Sequence, residues 1–139
     1  PTMMWIPNPG QPPQPLDKIA SGGELSRFLL AVVGIMNRKE TPSLIFDEVD
    51  SGVGGLTLNH VANALARLAA QQQVILITHW PQLAARASRH FQVRKEVRQG
   101  NTFTFCHALN GQDIRDELSR MAGGGDQGMA MARELLQQR

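Results

Sequence analysis

Apolar residues recur at two different spacings along the chain. Over residues 22–39 they recur every three to four positions, which predicts an amphipathic helix, and residues 57–73 show the same spacing. Short continuous apolar runs at 44–46 and 74–78 instead predict strands buried on both faces, as in a parallel sheet. Strand, helix and strand in this order predict a βαβ unit whose two strands run parallel.

The remaining segments predict a proline-rich start and a mixed C-terminal half. Residues 1–15 are predicted to be irregular. Later stretches predict a short helix ("PQLAARAS"), a hairpin ("FQVRKEV" and "TFTFCHAL", joined by "RQGN") and two helices ("DIRDELSRMA", with Asp113 as N-cap, and "GMAMARELLQQR"). The predicted fold class is α/β: one lobe over residues 16–139, with a parallel βαβ core, a small antiparallel hairpin and C-terminal helices.

Composition narrows the class of protein. A chain of 139 residues with 42% hydrophobic residues can bury the core of one domain without disulfides. Its single cysteine, Cys106, has no partner for an internal disulfide, and no apolar run reaches the roughly 20 residues that cross a bilayer. We therefore expect a cytoplasmic protein with no membrane partner.

The net charge of +2 does not by itself require a nucleic-acid partner. One segment is locally basic, with five arginines and lysines and a single opposing glutamate between Arg86 and Arg98. Such a cluster is either a plain solvated surface or a contact to DNA phosphates, and the sequence leaves both open.

Polar side chains follow both strands of the predicted βαβ unit. Asp47 and Glu48 end the first strand, and His79 follows the second. Ligands of open α/β sheets bind outside the carboxyl ends of the strands, so we expect these three side chains to lie close together. Carboxylates suit a Mg²⁺ ion shared with phosphates, and a second carboxylate can activate a water molecule. The alternative is a polar strand end without function.

The stretch "ASGGELSR" has the features of a helix start. Ser21 and Glu24 have the spacing of a capping box. Gly22 and Gly23 each weaken a helix by about 1 kcal/mol relative to alanine, but they let a ligand approach free N–H groups that attract anions. The sequence thus predicts a phosphate site here, with a simple N-cap as the alternative.

In chain order, "SGGE", "LIFDEVD" and "ITH" resemble the signature motif, the Walker B strand and the switch histidine in the C-terminal lobe of an ABC-type ATPase head. The longer stretches "LDKIASGGELSRFLLAV", "LIFDEVDSGVGG" and "THWPQLAARASRHFQVRKE" are similar to the RecN family of DNA repair proteins, in the SMC-like branch of these ATPases. The resemblance covers residues 9–139. It implies an ATPase that acts in DNA double-strand-break repair and recombination.

The resemblance also implies roles for matching residues. Asp47 would support a Mg²⁺ ion through water, Glu48 would be the general base of hydrolysis, and His79 would contact the γ-phosphate of ATP. Arg27 would help to position the nucleotide or the partner surface, or it is merely a charge on the helix surface. An ATP held mainly by an opposing head would be contacted by the signature residues Ser21, Gly22, Gly23 and Glu24.

Two departures from the family pattern limit this inference. Gly54 stands where many relatives carry an aspartate that crosses the dimer interface, and no G-x-x-x-x-G-K-[ST] phosphate loop or long heptad segment is present. We therefore expect part of a longer protein, without the N-terminal lobe and coiled coil. By itself, this part is expected not to hydrolyse ATP. The expected partners are ATP, the N-terminal lobe, a second head in a homodimer, and DNA. The alternatives are a non-catalytic dimerisation or docking module and the nucleotide-binding subunit of a transporter.

Overall fold

The computed structural model describes four stretches of the chain: residues 3–6, 8–16, 22–36 and 43–138. Their contacts divide the chain into two units, residues 1–77 and residues 78–139. None of the helices in these stretches is long and apolar enough to cross a membrane.

The first unit contains the predicted βαβ core. Its elements are β1 (Met4–Trp5), β2 (Gln14–Pro15), α1 (Gly22–Ile35), β3 (Leu44–Asp47), α2 (Gly55–Ala69) and β4 (Val74–Ile77). Strands β3 and β4 pair in parallel, with Leu44 opposite Val74 and Asp47 opposite Ile77. The predicted parallel pairing is therefore confirmed.

Both helices of this unit are shorter than the sequence predicts. Helix α1 ends at Ile35, and the end of its predicted range lies outside the described residues. Helix α2 ends at Ala69 instead of residue 73, because its buried face stops at Leu68 and only alanine and glutamines follow before β4. The buried face of α2 consists of Leu58, Val61, Ala62, Leu65 and Leu68.

The proline-rich start is not wholly irregular, contrary to prediction. Strands β1 and β2 form a small antiparallel pair, with Met4 opposite Pro15 and Trp5 opposite Gln14. A two-stranded pair has only edge strands, where the missing N–H of a proline is tolerated. Trp5 also contacts Phe28 of α1 edge to face, with ring centroids 6.1 Å apart. This aromatic contact joins the pair to the first helix.

The β3–β4 sheet is buried on one face only, which corrects the prediction of strands buried on both. Phe46 is 2% exposed, whereas Ile45, Ile75 and Ile77 are 66%, 47% and 55% exposed. Parallel sheets are normally covered on both faces. Within the described part of the chain the second face lacks that cover.

The second unit consists of α3 (Pro81–Ala84), β5 (His90–Arg98), β6 (Asn101–Leu109), α4 (Gln112–Met121) and α5 (Gly125–Gln137). The predicted hairpin is confirmed: β5 and β6 pair antiparallel along their full length. Gln99 and Gly100 connect them with φ angles of 50° and 78°. Two consecutive residues of positive φ form the turn that suits the twist of a two-residue hairpin.

Helices α4 and α5 pack closely against each other, and their starts differ from prediction. Gly111, not Asp113, precedes α4, and Asp113 lies inside its first turn. Helix α5 begins at Gly125, three residues before the predicted start. The close approach requires Gly128, because a Cβ there would lie 2.6 Å from the carbonyl oxygen of Ser119. Ala85, Leu118 and Ala132 form the buried centre of this unit.

A polar contact fixes α4 to the hairpin. Glu117 accepts two hydrogen bonds from Arg120, at 2.8 and 2.6 Å, and one from the buried amide of Gln92 on β5. The hydrogen bonds from Arg120 hold the pKa of Glu117 below its ordinary value of 4.5, although partial burial opposes them.

Candidate functional site

The candidate site lies where β3 ends. Asp47 is the last residue of β3 and lies opposite Ile77, the last residue of β4. Asp47 and Glu48 are both exposed to solvent. The strand register thus presents two adjacent carboxylates at the carboxyl end of the parallel pair, as the sequence predicts.

His79 lies two residues beyond the end of β4 and belongs to the second unit. It is exposed, and its ring centroid lies 5.7 Å from that of Trp80. The backbone N–H of Trp80 donates to the hydroxyl of Thr78 at 3.0 Å, so the chain turns directly after the strand. The closeness of His79 to the two carboxylates remains a prediction.

Residues 47–51, which we call the acidic loop, have a constrained conformation. Glu48 has a φ of 57°, in the left-handed region that few residues other than glycine adopt. The N–H of Ser51 donates to the carbonyl of Glu48 at 2.9 Å and closes a turn. Val49 and Asp50 are buried at 0% and 3% exposure. The loop is therefore anchored by the residues after Glu48, while Glu48 itself faces solvent.

The first turn of α1 packs against the acidic loop. A Cβ on Gly23, which is buried, would lie 2.8 Å from Cβ of Ser51 and 2.9 Å from the carbonyl oxygen of Glu48. A Cβ on Gly22, which is exposed, would lie 3.2 Å from Oε2 of Glu48. The close approach to the loop thus gives Gly23 a reason to be glycine that does not depend on a ligand, while Gly22 stays open to solvent.

Of the other two signature residues, Glu24 lies within the described residues and Ser21 does not. Glu24 is half-buried and lines a cleft of about 430 Å³ together with aromatic and loop residues. Ser21 lies outside the described residues. Gly54 is also part of the cleft, which is lined by Trp5, Glu24, Arg27, Phe28, Ala31, Gly52, Val53, Gly54 and Thr57.

Two side chains of α1 make hydrogen bonds to the acidic loop. The hydroxyl of Ser26 donates to the carbonyl of Asp47 at 2.9 Å. Nη1 of Arg27 donates to the carbonyls of Ser51 at 2.7 Å and Val49 at 3.2 Å. The guanidinium of Arg27 is therefore bound to its own chain and is not a free surface charge. Ser26 makes a contact that the sequence analysis did not predict. The available signal was spacing: Ser26 and Arg27 lie one turn after the two glycines.

The exposed carboxylates of the site are donors that could hold a magnesium ion together with phosphates. The described residues contain no group of three histidine, cysteine or acidic side chains that could hold a metal. Mg²⁺ retains several waters and commonly takes one or two carboxylates together with substrate phosphates. The exposed pair of Asp47 and Glu48 provides that donor set.

Known proteins similar to this chain include the DNA repair protein RecN of several bacteria. The Deinococcus radiodurans protein is 46% identical over 131 residues, which is 93% of this chain and 23% of that protein. The Vibrio cholerae protein is 43% identical over 139 residues, covering 97% and 25% of the two chains, and the Bacillus subtilis protein is 41% identical over 135 residues, covering 94% and 23%. No family model matches the chain.

A solved structure from work on the ATP-driven dimerisation and DNA-stimulated activation of SMC ATPases has a similar fold. Its TM-score is 0.50 at 23% identity, and the match covers 81% of this chain and 68% of that one. At this level of identity the likeness concerns the fold. The chain is therefore similar to the RecN proteins over nearly its whole length, spans about a quarter of theirs, and has a fold similar to that of a solved SMC ATPase structure.

Proposed function

We propose that this chain forms the C-terminal part of an ATP-binding and ATP-hydrolysing head of a RecN-type protein that acts in DNA double-strand-break repair and recombination. The observation that carries the proposal is the exposed carboxylate pair at the carboxyl end of β3, with the first turn of α1 packed against the same loop. The relatives named DNA repair protein RecN support the DNA repair role. This role makes the bacterial cytoplasm, at the nucleoid, the expected location.

Asp47, Glu48 and His79 each have a proposed task. Asp47 would hold Mg²⁺ through a water molecule, and the chemistry supplied would be an offset of the negative charge of the ATP phosphates. Glu48 accepts a proton from the attacking water, for which its solvent-exposed carboxylate is accessible. His79 donates a hydrogen bond to the γ-phosphate. The constrained backbone at Glu48 supports its role, since unusual backbone conformations cluster at functional sites.

The signature residues are proposed to serve a second head. Ser21, Gly22, Gly23 and Glu24 would meet the ATP of an opposing head in a homodimer. The exposure of Gly22 supports this, because its backbone at the start of α1 is open to an approaching anion. Gly23 contributes by allowing the helix start to lie close to the acidic loop. The similar SMC ATPases undergo ATP-driven dimerisation.

The uncovered face of the β3–β4 sheet supports a further partner. Ile45, Ile75 and Ile77 expose about half or more of their surface on strands that normally lie inside a sheet with both faces covered. We propose that an N-terminal lobe, encoded in the remaining length of a RecN-type polypeptide, covers this face and supplies the phosphate loop. The 139-residue chain alone should then bind Mg-ATP only weakly. A clear rise in its melting temperature with sub-millimolar Mg-ATP would contradict this expectation.

The decisive experiment is Glu48→Gln in the complete polypeptide that carries this chain. Loss of a general base typically lowers turnover by a factor of about 10²–10⁴. ATP binding should persist, because glutamine keeps the size and polarity of the side chain. The matched control is Glu134→Gln, which changes an exposed glutamate on α5 and should leave both properties unchanged. Unaltered hydrolysis by Glu48→Gln would reject Glu48 as the base.

A further inference from the structure

One face of α1 is attached to the acidic loop over two helical turns. Gly22 and Gly23 approach the loop with backbone alone, and Ser26 and Arg27, four residues later, reach it with hydrogen bonds. Residues spaced four apart lie on the same helix face. The start of α1 and the acidic loop are therefore held together by two successive turns of one face.

Arg27 makes the charged part of this attachment. A single Nη1 group carries two N–H donors, and these reach the carbonyl oxygens of Val49 and Ser51. The two carbonyls lie on either side of Asp50, which is buried. Hydrogen bonds with an ionised donor are stronger than neutral ones, so one guanidinium fixes the curvature of the loop at this point.

The loop that Arg27 holds contains the residue with the least favourable backbone of the site. Glu48 has a φ of 57°, and a conformation of this kind persists only when surrounding contacts enforce it. On one side, Ser26 bonds to the carbonyl of Asp47. On the other, Ser51 bonds to the carbonyl of Glu48 while its own carbonyl accepts from Arg27. Loss of the hydrogen bond from Arg27 to the carbonyl of Ser51 would weaken one of these two restraints on Glu48.

We infer that Arg27 is a positioning residue for Glu48, and that it makes the start of α1 and the acidic loop move as one body. This inference rests on the proposed function, in which the start of α1 contacts the ATP of an opposing head and Glu48 acts on the ATP of its own head. Arg27 then connects the two nucleotide sites of a dimer. A phosphate that shifts the start of α1 shifts Glu48 with it, so hydrolysis in one site depends on occupation of the other.

The test compares Arg27→Gln and Arg27→Lys with the matched control Arg67→Gln in the complete polypeptide. Arg67 is an exposed arginine in the last turn of α2. Arg27→Gln should lower kcat for ATP about tenfold or more, with KM for ATP within about twofold, because the side chain orients the base and does not bind the nucleotide. Arg27→Lys keeps the charge without the planar fork and should give an intermediate kcat. Arg67→Gln should match the wild type.

The outcomes separate this inference from the proposed function. If the wild type does not hydrolyse ATP, or Glu48→Gln retains full turnover, the proposed function fails first. If Glu48→Gln is inactive but Arg27→Gln keeps kcat within about twofold of the wild type, only the inference about Arg27 is overturned. A parallel change in kcat, KM and melting temperature would also overturn it, because that result describes a purely structural residue. Should Arg27→Gln fail to fold, Arg27→Lys decides: a lower kcat at unchanged KM supports the inference, and an unchanged kcat rejects it.

Discussion

The contact between Gly23 and the acidic loop leads to a quantitative prediction for Gly23→Ala. The new methyl group would lie 2.8 Å from Cβ of Ser51 and 2.9 Å from the carbonyl oxygens of Glu48 and Ser51. Ordinary contacts between carbon atoms are about 3.5–4.0 Å, so helix and loop must separate by roughly 0.7 Å or more. Two of the three atoms belong to the loop backbone and cannot rotate away. Overpacking of this kind typically costs about 1–3 kcal/mol.

Gly34→Ala is the matched control on the same helix. A Cβ on Gly34 meets no atom within 4 Å, and neither glycine has a positive φ. Alanine in an open helical position gains about 1 kcal/mol over glycine. The same gain of about 1 kcal/mol offsets part of the clash at Gly23, which leaves a net loss of up to about 2 kcal/mol there. The two variants should therefore differ by the cost of the clash, about 1–3 kcal/mol, in the free energy of unfolding.

Urea unfolding of the 139-residue chain, followed by circular dichroism, measures this difference. The midpoint should fall for Gly23→Ala and rise for Gly34→Ala, with the slope of the transition unchanged in both. Gly22→Ala provides a third point, because its Cβ would meet only the mobile carboxylate end of Glu48, at 3.2 Å. Equal stabilisation by all three substitutions would refute the reasoning, since it would mean that the start of α1 does not lie against the acidic loop.

The remaining predictions concern the second unit. Glu117→Ala should lower the free energy of unfolding by about 1–3 kcal/mol, because Gln92 and Arg120 lose their acceptor. Glu96 is only partly buried and is paired with Arg98 at 2.6 Å, so Glu96→Ala should cost less than about 1 kcal/mol. Because the pKa of Glu117 is lowered, its ionised carboxylate contributes fully to folding stability above about pH 4.5, and this contribution is lost as the pH falls through the folded-state pKa. The free energy of unfolding should therefore fall less steeply with acid in Glu117→Gln than in the wild type. Gly128→Ala should cost about 1–3 kcal/mol, because its Cβ would lie 2.6 Å from a backbone oxygen of α4, and a thermal melt that shows no decrease would contradict the close helix contact.

The elements of this fold could be predicted where a local pattern determines them. The apolar runs before Asp47 and before His79 are short and lie on either side of an amphipathic helix, which leaves parallel pairing as the simple arrangement. Burial of the strands could not be predicted in the same way. Ile45 and Phe46 are similarly apolar, yet one is largely exposed and the other buried, because burial depends on what covers each face.

The candidate site, too, could be predicted only in part. The carboxylates and the glycine-rich helix start are visible in the sequence because their residue types are unusual at those positions. The direction of Arg27 is not visible, since the choice between a partner, a nucleotide and its own loop depends on a contact 22 to 24 residues away. Gly23 is a similar case. Its lack of a side chain indicates a close neighbour, but the structure is needed to identify that neighbour as Ser51.

The edge-to-face contact between Trp5 and Phe28 gives the first helix an intrinsic optical reporter. Indole emission depends on the surroundings of the ring, and this ring lies against the same helix whose first turn touches Glu48. The chain has only one other tryptophan, Trp80, so a Trp80→Phe variant would emit from Trp5 alone. Displacement of α1 could then be followed in real time by stopped-flow fluorescence without attaching a dye.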